Sequence, residues 1–385
     1  MEENRDLSFR IGPIRPPSEA NSLLIQVTRG CTWNRCKFCQ LYRHTQFKAY
    51  SVDSVKADID NMVILADRVR SHIDAEGQWD IDGLNYELGT IDSDAERQSY
   101  YMIANWLING GKTVFLQDGN STVLKGGRLS DVIRYLKQAF PHIERITSYG
   151  RAENLSKTTA EEFADLKEAG LDRIHSGFET GSDEVLKLVN KGVTQEQEII
   201  AGRNVKAGGI ELSIYFMAGV GGRALTKVNA EETAKVINAV NPDFVRVRTA
   251  AYKPGTELYD DWRAGLIDHC SDVEKLLEIR RIIELAEGVD TKIVSDHILN
   301  LLMDIEGHMV NDKARLLAIC DEFLNLPPQE QKEFQIARRL GMVIRPSQMR
   351  LVGPGNMLHL RQQIDNYPGE REWEDHINMI IERYI

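Results

Sequence analysis

The chain has no run of about 18 apolar residues, the length a membrane-crossing helix needs, and its opening Met1-Glu-Glu-Asn-Arg-Asp-Leu7 lacks the apolar core of a signal peptide. A cytoplasmic protein with no membrane partner is expected on that ground. Cysteine is scarce, five in 385 residues, and an odd, low count excludes a secreted disulfide framework. Basic residues are outnumbered, 47 Lys and Arg against 58 Asp and Glu, for a net charge of −11. Such a chain stays soluble but lacks the clustered cations of a nucleic-acid footprint. Low-complexity segments, charge runs and tandem repeats are also missing. What is present is ordinary for a large enzyme: 42% hydrophobic and 27% charged residues. The length exceeds what one core usually carries, so a main domain with an accessory region is expected.

Three of the five cysteines, Cys31, Cys36 and Cys39, stand together in Thr28-Arg-Gly-Cys-Thr-Trp-Asn-Arg-Cys-Lys-Phe-Cys-Gln-Leu-Tyr42, directly after the apolar run Leu23–Val27. Three thiolates on a short loop suit zinc or an iron–sulfur cluster, and a missing fourth ligand leaves one metal position open to something that is not protein. Zinc would draw its fourth ligand from His44, the nearby candidate, although structural zinc sites come as two spaced pairs rather than a tight triplet. Cys270 and Cys320 stand alone. Cys320 shares a helical face with Leu316, Leu317 and Phe323, which reads as a buried thiol.

Short apolar runs alternate with helical patterns, which predicts an α/β fold of βα units on a parallel sheet. Six strands are expected: 23–27, 113–116, 145–149, 173–177, 211–217 and 244–249. Helices are expected over 51–70, from a Ser/Thr cap near 156 to Gly170, and over 195–207 before Gly208-Gly209. The long interval between the first two strands, through Trp79, Tyr86 and Tyr100-Tyr101, reads as a helical insertion at about 72–108 that covers the active site. Beyond Pro254-Gly-Thr256 the strand pattern stops. Amphipathic stretches at 273–287, 298–303, 313–324 and 329–340 predict a mainly helical region over 261–385. The expected organisation is an N-terminal extension 1–20, a core 21–260 and that C-terminal region.

A cysteine triplet after the first strand, with Phe38 just before the last cysteine, in a six-unit βα chain, resembles the radical S-adenosylmethionine (radical SAM) superfamily. The pair Cys36-Lys-Phe-Cys39 has the family's spacing, while four residues rather than three separate Cys31 from Cys36. The form Gly-Cys-Thr-x-Asn-x-Cys-x-Phe-Cys resembles a subset similar to the oxygen-independent coproporphyrinogen oxidases and the Elongator-type catalytic subunits. Four further segments carry the likeness: Phe115-Leu-Gln-Asp-Gly-Asn-Ser121, His175-Ser-Gly-Phe-Glu-Thr-Gly181 with its continuation to Gly192, Phe216-Met-Ala-Gly-Val-Gly-Gly222, and Lys253-Pro-Gly-Thr-Glu-Leu-Tyr259. The resemblance spans roughly 20–260 and implies a partial (β/α)6 TIM-like barrel with contacts at the carboxyl ends of its strands.

That resemblance implies a [4Fe-4S] cluster on Cys31, Cys36 and Cys39, with S-adenosylmethionine on the fourth iron and Phe38, Asp118, Gly119, Asn120, Glu179, Arg203 and Arg248 near the cofactor. Each assignment has a plain competitor: Glu179 as a structural carboxylate, Arg203 as a solvated helix arginine, His175 as a hydrogen-bonded interior side chain. Arg29, Arg35, Lys37, Arg43 and Lys48 make the cysteine region locally basic, either balancing an anionic cluster or simply solvated. The expected activity is reductive cleavage of S-adenosylmethionine to a 5′-deoxyadenosyl radical and hydrogen abstraction from a small molecule or peptide, with electrons from an external ferredoxin- or flavodoxin-type donor. The short segment before the first strand argues against cobalamin-dependent methylation, and the absence of a second cysteine cluster argues against sulfur insertion. His297 and His308 are candidate substrate contacts, with exposed helix histidines the plainer reading. An alternative is a non-catalytic iron–sulfur protein of electron-transfer or regulatory type that binds the cofactor, and another is a zinc-stabilised binding module.

Overall fold

A computed structural model describes residues 6–383. The fold is α/β, with parallel strands, intervening helices and a mainly helical C-terminal region. The strands in chain order are β1 (Leu23–Gln26), β2 (Thr28–Arg29), β3 (Lys48–Ala49), β4 (Thr113–Gln117), β5 (Arg145–Tyr149), β6 (Leu171–Glu179), β7 (Glu211–Ala218), β8 (Phe244–Thr249), β9 (Lys292–Val294) and β10 (Glu306–His308). The helices are α1 (Val52–Arg70), α2 (Ile81–Thr90), α3 (Asp94–Ile108), α4 (Arg128–Ala139), α5 (Ala152–Leu155), α6 (Ala160–Ala169), α7 (Asp183–Leu188), α8 (Gln195–Ala207), α9 (Thr226–Val240), α10 (Glu257–Arg263), α11 (Asp272–Leu285), α12 (Lys313–Leu324), α13 (Pro328–Arg339), α14 (Pro354–Asp365) and α15 (Glu370–Glu382).

Two compact units share this chain. The first comprises residues up to Thr32, His44–His175 and Asn204–Glu211. Its strands run in the order β1-β4-β5-β6, parallel throughout, with Leu23 opposite Val114, Thr113 opposite Arg145 and Tyr149 opposite His175. Leu23, Leu24, Ile25, Val114, Phe115 and Leu116 are all buried, the continuous apolar reading of a sheet covered on both faces. Helix α1 starts where the Ser51 hydroxyl accepts from the Ser54 amide. The expected insertion forms α2 and α3, tied to α1 by Arg68, which pairs with Glu87 at 2.8 Å and Glu96 at 3.0 Å. Helix α6 begins later than its Ser156 signal, at a capping box between Thr159 and Glu162, and stops on Gly170. Below the strands, the fully buried Glu19 carboxylate accepts from Ser22 at 2.6 Å and pairs with Arg145 at 3.2 Å. His175 lies 3.6 Å from it, a structural interior histidine.

The second unit comprises Trp33–Arg43, Ser176–Arg203 and the chain from Leu212 on. Here the order continues β6-β7-β8-β9-β10. Strands β7 to β9 are parallel and β10 pairs antiparallel with β9. Two short strands therefore stand in the region expected to have none; at three residues each, they are too brief to leave a periodic signal. The stretch 298–303, expected to be helical, is a turn and loop. Its backbone is satisfied by tertiary partners: Arg339 donates to the Leu299 carbonyl at 2.7 Å, and Arg338 to those of Asn300 and Leu301 at 3.1 and 3.2 Å. Those bonds replace the i to i−4 ladder a helix would supply. Cys320 is buried with Leu316 and Phe323, and burial pushes its thiol up to about 12.

Candidate functional site

Within the first unit, Asp118, Gly119 and Asn120 follow directly on the last residue of β4. Asp118 is fully buried, and its Oδ2 accepts from the Gly30 amide at 3.1 Å and from Gln26 at 3.5 Å. Burial outweighs those bonds and raises its carboxyl to about 6. Asn120, also buried, donates to the Thr32 hydroxyl at 3.1 Å and to the Asn154 side chain, and accepts from the Arg151 amide at 3.1 Å. The Arg151 guanidinium reaches the Cys31 sulfur at 4.0 Å. The loop after β4 thus anchors Gly30 and Thr32, the residues on either side of Cys31.

Within the second unit lie Cys36 and Cys39, the former buried and the latter half-buried. Arg43 donates from Nε to the Cys39 carbonyl at 3.0 Å and from Nη2 to the Cys36 carbonyl at 3.1 Å, and pairs with Glu257 at 2.7 Å. Lys37 pairs with Asp261 at 2.6 Å. Two cations expected to be either cluster-balancing or solvated are therefore staples of the loop.

The segment Val189–Gly192, after α7, grips the same loop. Trp33 donates its indole N–H to the Asn190 carbonyl at 2.7 Å, Asn190 donates its side-chain amide to the Arg35 carbonyl at 3.0 Å, and the Lys37 amide donates to the Val189 carbonyl at 2.9 Å. Gly192 lies under the Trp33 ring so closely that a Cβ would stand 2.4 Å from it. Lys191 Nζ lies 5.6 Å from the centre of the Phe38 ring and pairs with Glu179 at 3.0 Å. Glu179, the last residue of β6, is buried with a left-handed backbone (φ 71°), a conformation non-glycine residues seldom adopt. Glu198 of α8 is fully buried near this pair, and neither of its carboxyl oxygens has a hydrogen-bond partner. Burial raises its carboxyl well above the usual range, with Lys191 opposing the rise and Glu179 reinforcing it.

Arg248, one residue before the end of β8, pairs with Asp296 at 2.8 Å and lies 4.6 Å from the Tyr215 ring centre. Arg203 is exposed on α8, where it donates to the Ala239 carbonyl at 3.1 Å. His308 ends β10, exposed and 3.0 Å from Asp290. His297 is half-buried in the loop after β9, not on a helix. Sequence reasoning passed over Lys191, Asn190 and Glu198. Lys191 lies inside the quoted His175–Gly192 segment, but its pairing with a residue 12 positions away leaves no periodic trace.

None of the five cysteines is in a disulfide. Among the described residues, no three His, Cys, Asp or Glu side chains form a ready metal-holding group. The fit to a cluster lies in the donor chemistry of Cys31, Cys36 and Cys39, soft thiols on a stapled loop. No helix among the described residues is long and apolar enough to cross a membrane.

Residues 93–235 match the family model described as Radical SAM superfamily. The chain is 25% identical over 197 residues to 4'-phospho-dehydrooxetanocin synthase of Priestia megaterium, covering 51% of this chain and 23% of that protein. It is 22% identical over 173 residues to the heme chaperone HemW of Bacillus subtilis (strain 168), covering 45% of each. It thus spans less than half the length of these curated relatives. Among solved structures, it is similar to methylornithine synthase (PylB), with a TM-score of 0.42 and 14% identity over 77% of this chain and 69% of that one. The archaeal Methanocaldococcus infernus Elp3 gives a TM-score of 0.39 and 18% identity over 48% of each chain. Over 93–235, and in its cysteine triplet, the chain is therefore similar to the radical SAM superfamily, with a likeness to its coproporphyrinogen-oxidase-like and Elongator-type group.

Proposed function

We propose that the protein is a radical SAM enzyme that holds a [4Fe-4S] cluster on Cys31, Cys36 and Cys39 and binds S-adenosylmethionine. When bound, these groups supply reductive cleavage to a 5′-deoxyadenosyl radical, which removes hydrogen from a small-molecule or peptide substrate. The observation that carries the reading is the superfamily match over 93–235 on a chain that gathers three thiols, none of them in a disulfide, within nine residues. Asp118, Gly119 and Asn120 are offered as cofactor contacts after β4, and Glu179 as a contact at the end of β6. Phe38, just before the last cysteine in sequence, is offered as a further cofactor contact. Arg43 keeps the backbone of Cys36 and Cys39 in place, and the buried surroundings of Glu179 and Lys191 exclude water, which strengthens every electrostatic contact there. A ferredoxin- or flavodoxin-type protein is the proposed electron donor, and the cytoplasm the proposed compartment.

The test is anaerobic, on reconstituted protein with S-adenosylmethionine and a strong one-electron reductant, quantifying 5′-deoxyadenosine beside Cys36→Ala. Product from the wild type alone is expected. No product from protein holding about four irons would favour a non-catalytic cofactor-binding protein, and zinc in place of iron would defeat the scheme.

A further inference from the structure

The second unit carries a pair of buried arginines, Arg246 and Arg248, of which the family resemblance uses only Arg248, as a cofactor contact. In the β7–β8 register Tyr215 stands opposite Arg246 and Met217 opposite Arg248, so Arg246 and Arg248 share one face while Val245 and Val247 take the other. Their side chains are only 8% and 14% exposed. Both guanidiniums lean on one carboxylate: Arg246 bonds Asp296 Oδ2, and Arg248 bonds Oδ1 at 2.8 Å. Two positive charges thus meet one negative charge, and an unbalanced buried charge is costly until a counterion arrives.

Donors remain available for that counterion. Both hydrogen bonds of Arg248, to Asp296 and to the Val247 carbonyl, leave from Nη1. Arg246 uses Nη1 for Asp296 and Nε for the Ser213 hydroxyl. The Nη2 groups are left, and a guanidinium edge matches the spacing of carboxylate or phosphate oxygens. His297 adjoins the cluster with its Nδ1 buried and unpartnered. Burial, helped by the Arg248 charge, lowers its imidazole to about 4, so it stays neutral and adds a polar contact without further charge.

The surroundings are rigid. Asn300 donates to the Val247 carbonyl at 3.0 Å and accepts from the Thr249 hydroxyl at 2.9 Å. The carbonyls of that loop are in turn held by Arg338 and Arg339, and Arg339 is fixed by a buried pair with Asp272 at 2.9 Å. A site held this way loses little freedom on binding.

We propose that Arg246, Arg248 and His297 form a binding site for an oxyanion of the substrate, a carboxylate or phosphate, with Asp296 setting its strength. This assigns Arg248 to substrate rather than to the cofactor, and it rests on the radical SAM reading only in calling the anion a substrate's. Inorganic phosphate and acetate, titrated separately by calorimetry into the full-length protein, probe the two chemistries. Arg246→Gln and Arg248→Gln should each weaken binding at least tenfold, Asp296→Asn should tighten it several-fold, and Lys227→Gln on the surface of α9 should leave it unchanged. Saturating S-adenosylmethionine should not displace the anion. The inference is overturned if neither anion binds the wild type, if the Gln variants bind as it does, or if S-adenosylmethionine competes and Arg248→Gln weakens the cofactor instead. Should the Gln variants fail to fold by circular dichroism, the tightening by Asp296→Asn decides alone. The 5′-deoxyadenosine assay on the same samples separates the readings: product without anion binding sinks this inference only, and anion binding without product sinks only the proposed activity.

Discussion

Glu179 and Lys191 concentrate what single residues decide in this protein. The carboxylate occupies a left-handed backbone position, and its neighbour Gly177 leaves it room: a Cβ there would stand 2.1 Å from Glu179 Oε1 and 3.3 Å from Lys191 Nζ. Gly177→Ala should therefore expel the carboxylate and cost about 1–3 kcal/mol, as overpacked interiors do, read as a lower urea midpoint. An unchanged midpoint would mean that the pair relaxes freely. Lys191→Met should cost more, about 3–5 kcal/mol, because it strands a buried carboxylate. A loss under about 1 kcal/mol in the same measurement would place the pair with surface ion pairs. The motif segment containing Glu179 was legible in the sequence. Its partner was not, because pairing across a turn follows no period.

At the scale of elements, the C-terminal end of β7 depends on α11. Glu278 Oε2 accepts from the Gly219 amide at 2.7 Å and from Asn229 at 3.0 Å. Burial raises its carboxyl from 4.5 to about 8. A carboxyl whose folded pKa lies above its unfolded value binds its proton more tightly when folded. Its contribution is therefore greatest below about 4.5, falls as pH rises, and levels off above about 8. Unfolding free energies of the wild type should decline over that window by more than those of Glu278→Gln. Parallel slopes for the two proteins would show that the carboxyl keeps its ordinary pKa. The six core strands were readable from the sequence because their apolar runs are intrinsic to β structure buried on both faces. The 298–303 loop was misread as a helix because its apolar spacing is helical while its hydrogen bonds come from Arg338 and Arg339, 37 to 40 positions away.

For the whole molecule, a ligand that binds only the folded state stabilises it by mass action. S-adenosylmethionine at about 100 times its Kd should add about 2.7 kcal/mol to the unfolding free energy of the reconstituted protein. An unmoved urea midpoint at saturating cofactor would contradict the proposed binding. The chain itself determined the α/β class, the order of its βα units and the cysteine triplet, because periodicity and ligand spacing are local properties of the sequence. Only the tertiary structure decided which cations staple the cysteine loop, which carboxyls keep their protons and where two arginines share one aspartate. Those outcomes depend on burial and on contacts between residues far apart in the chain, which local sequence does not encode.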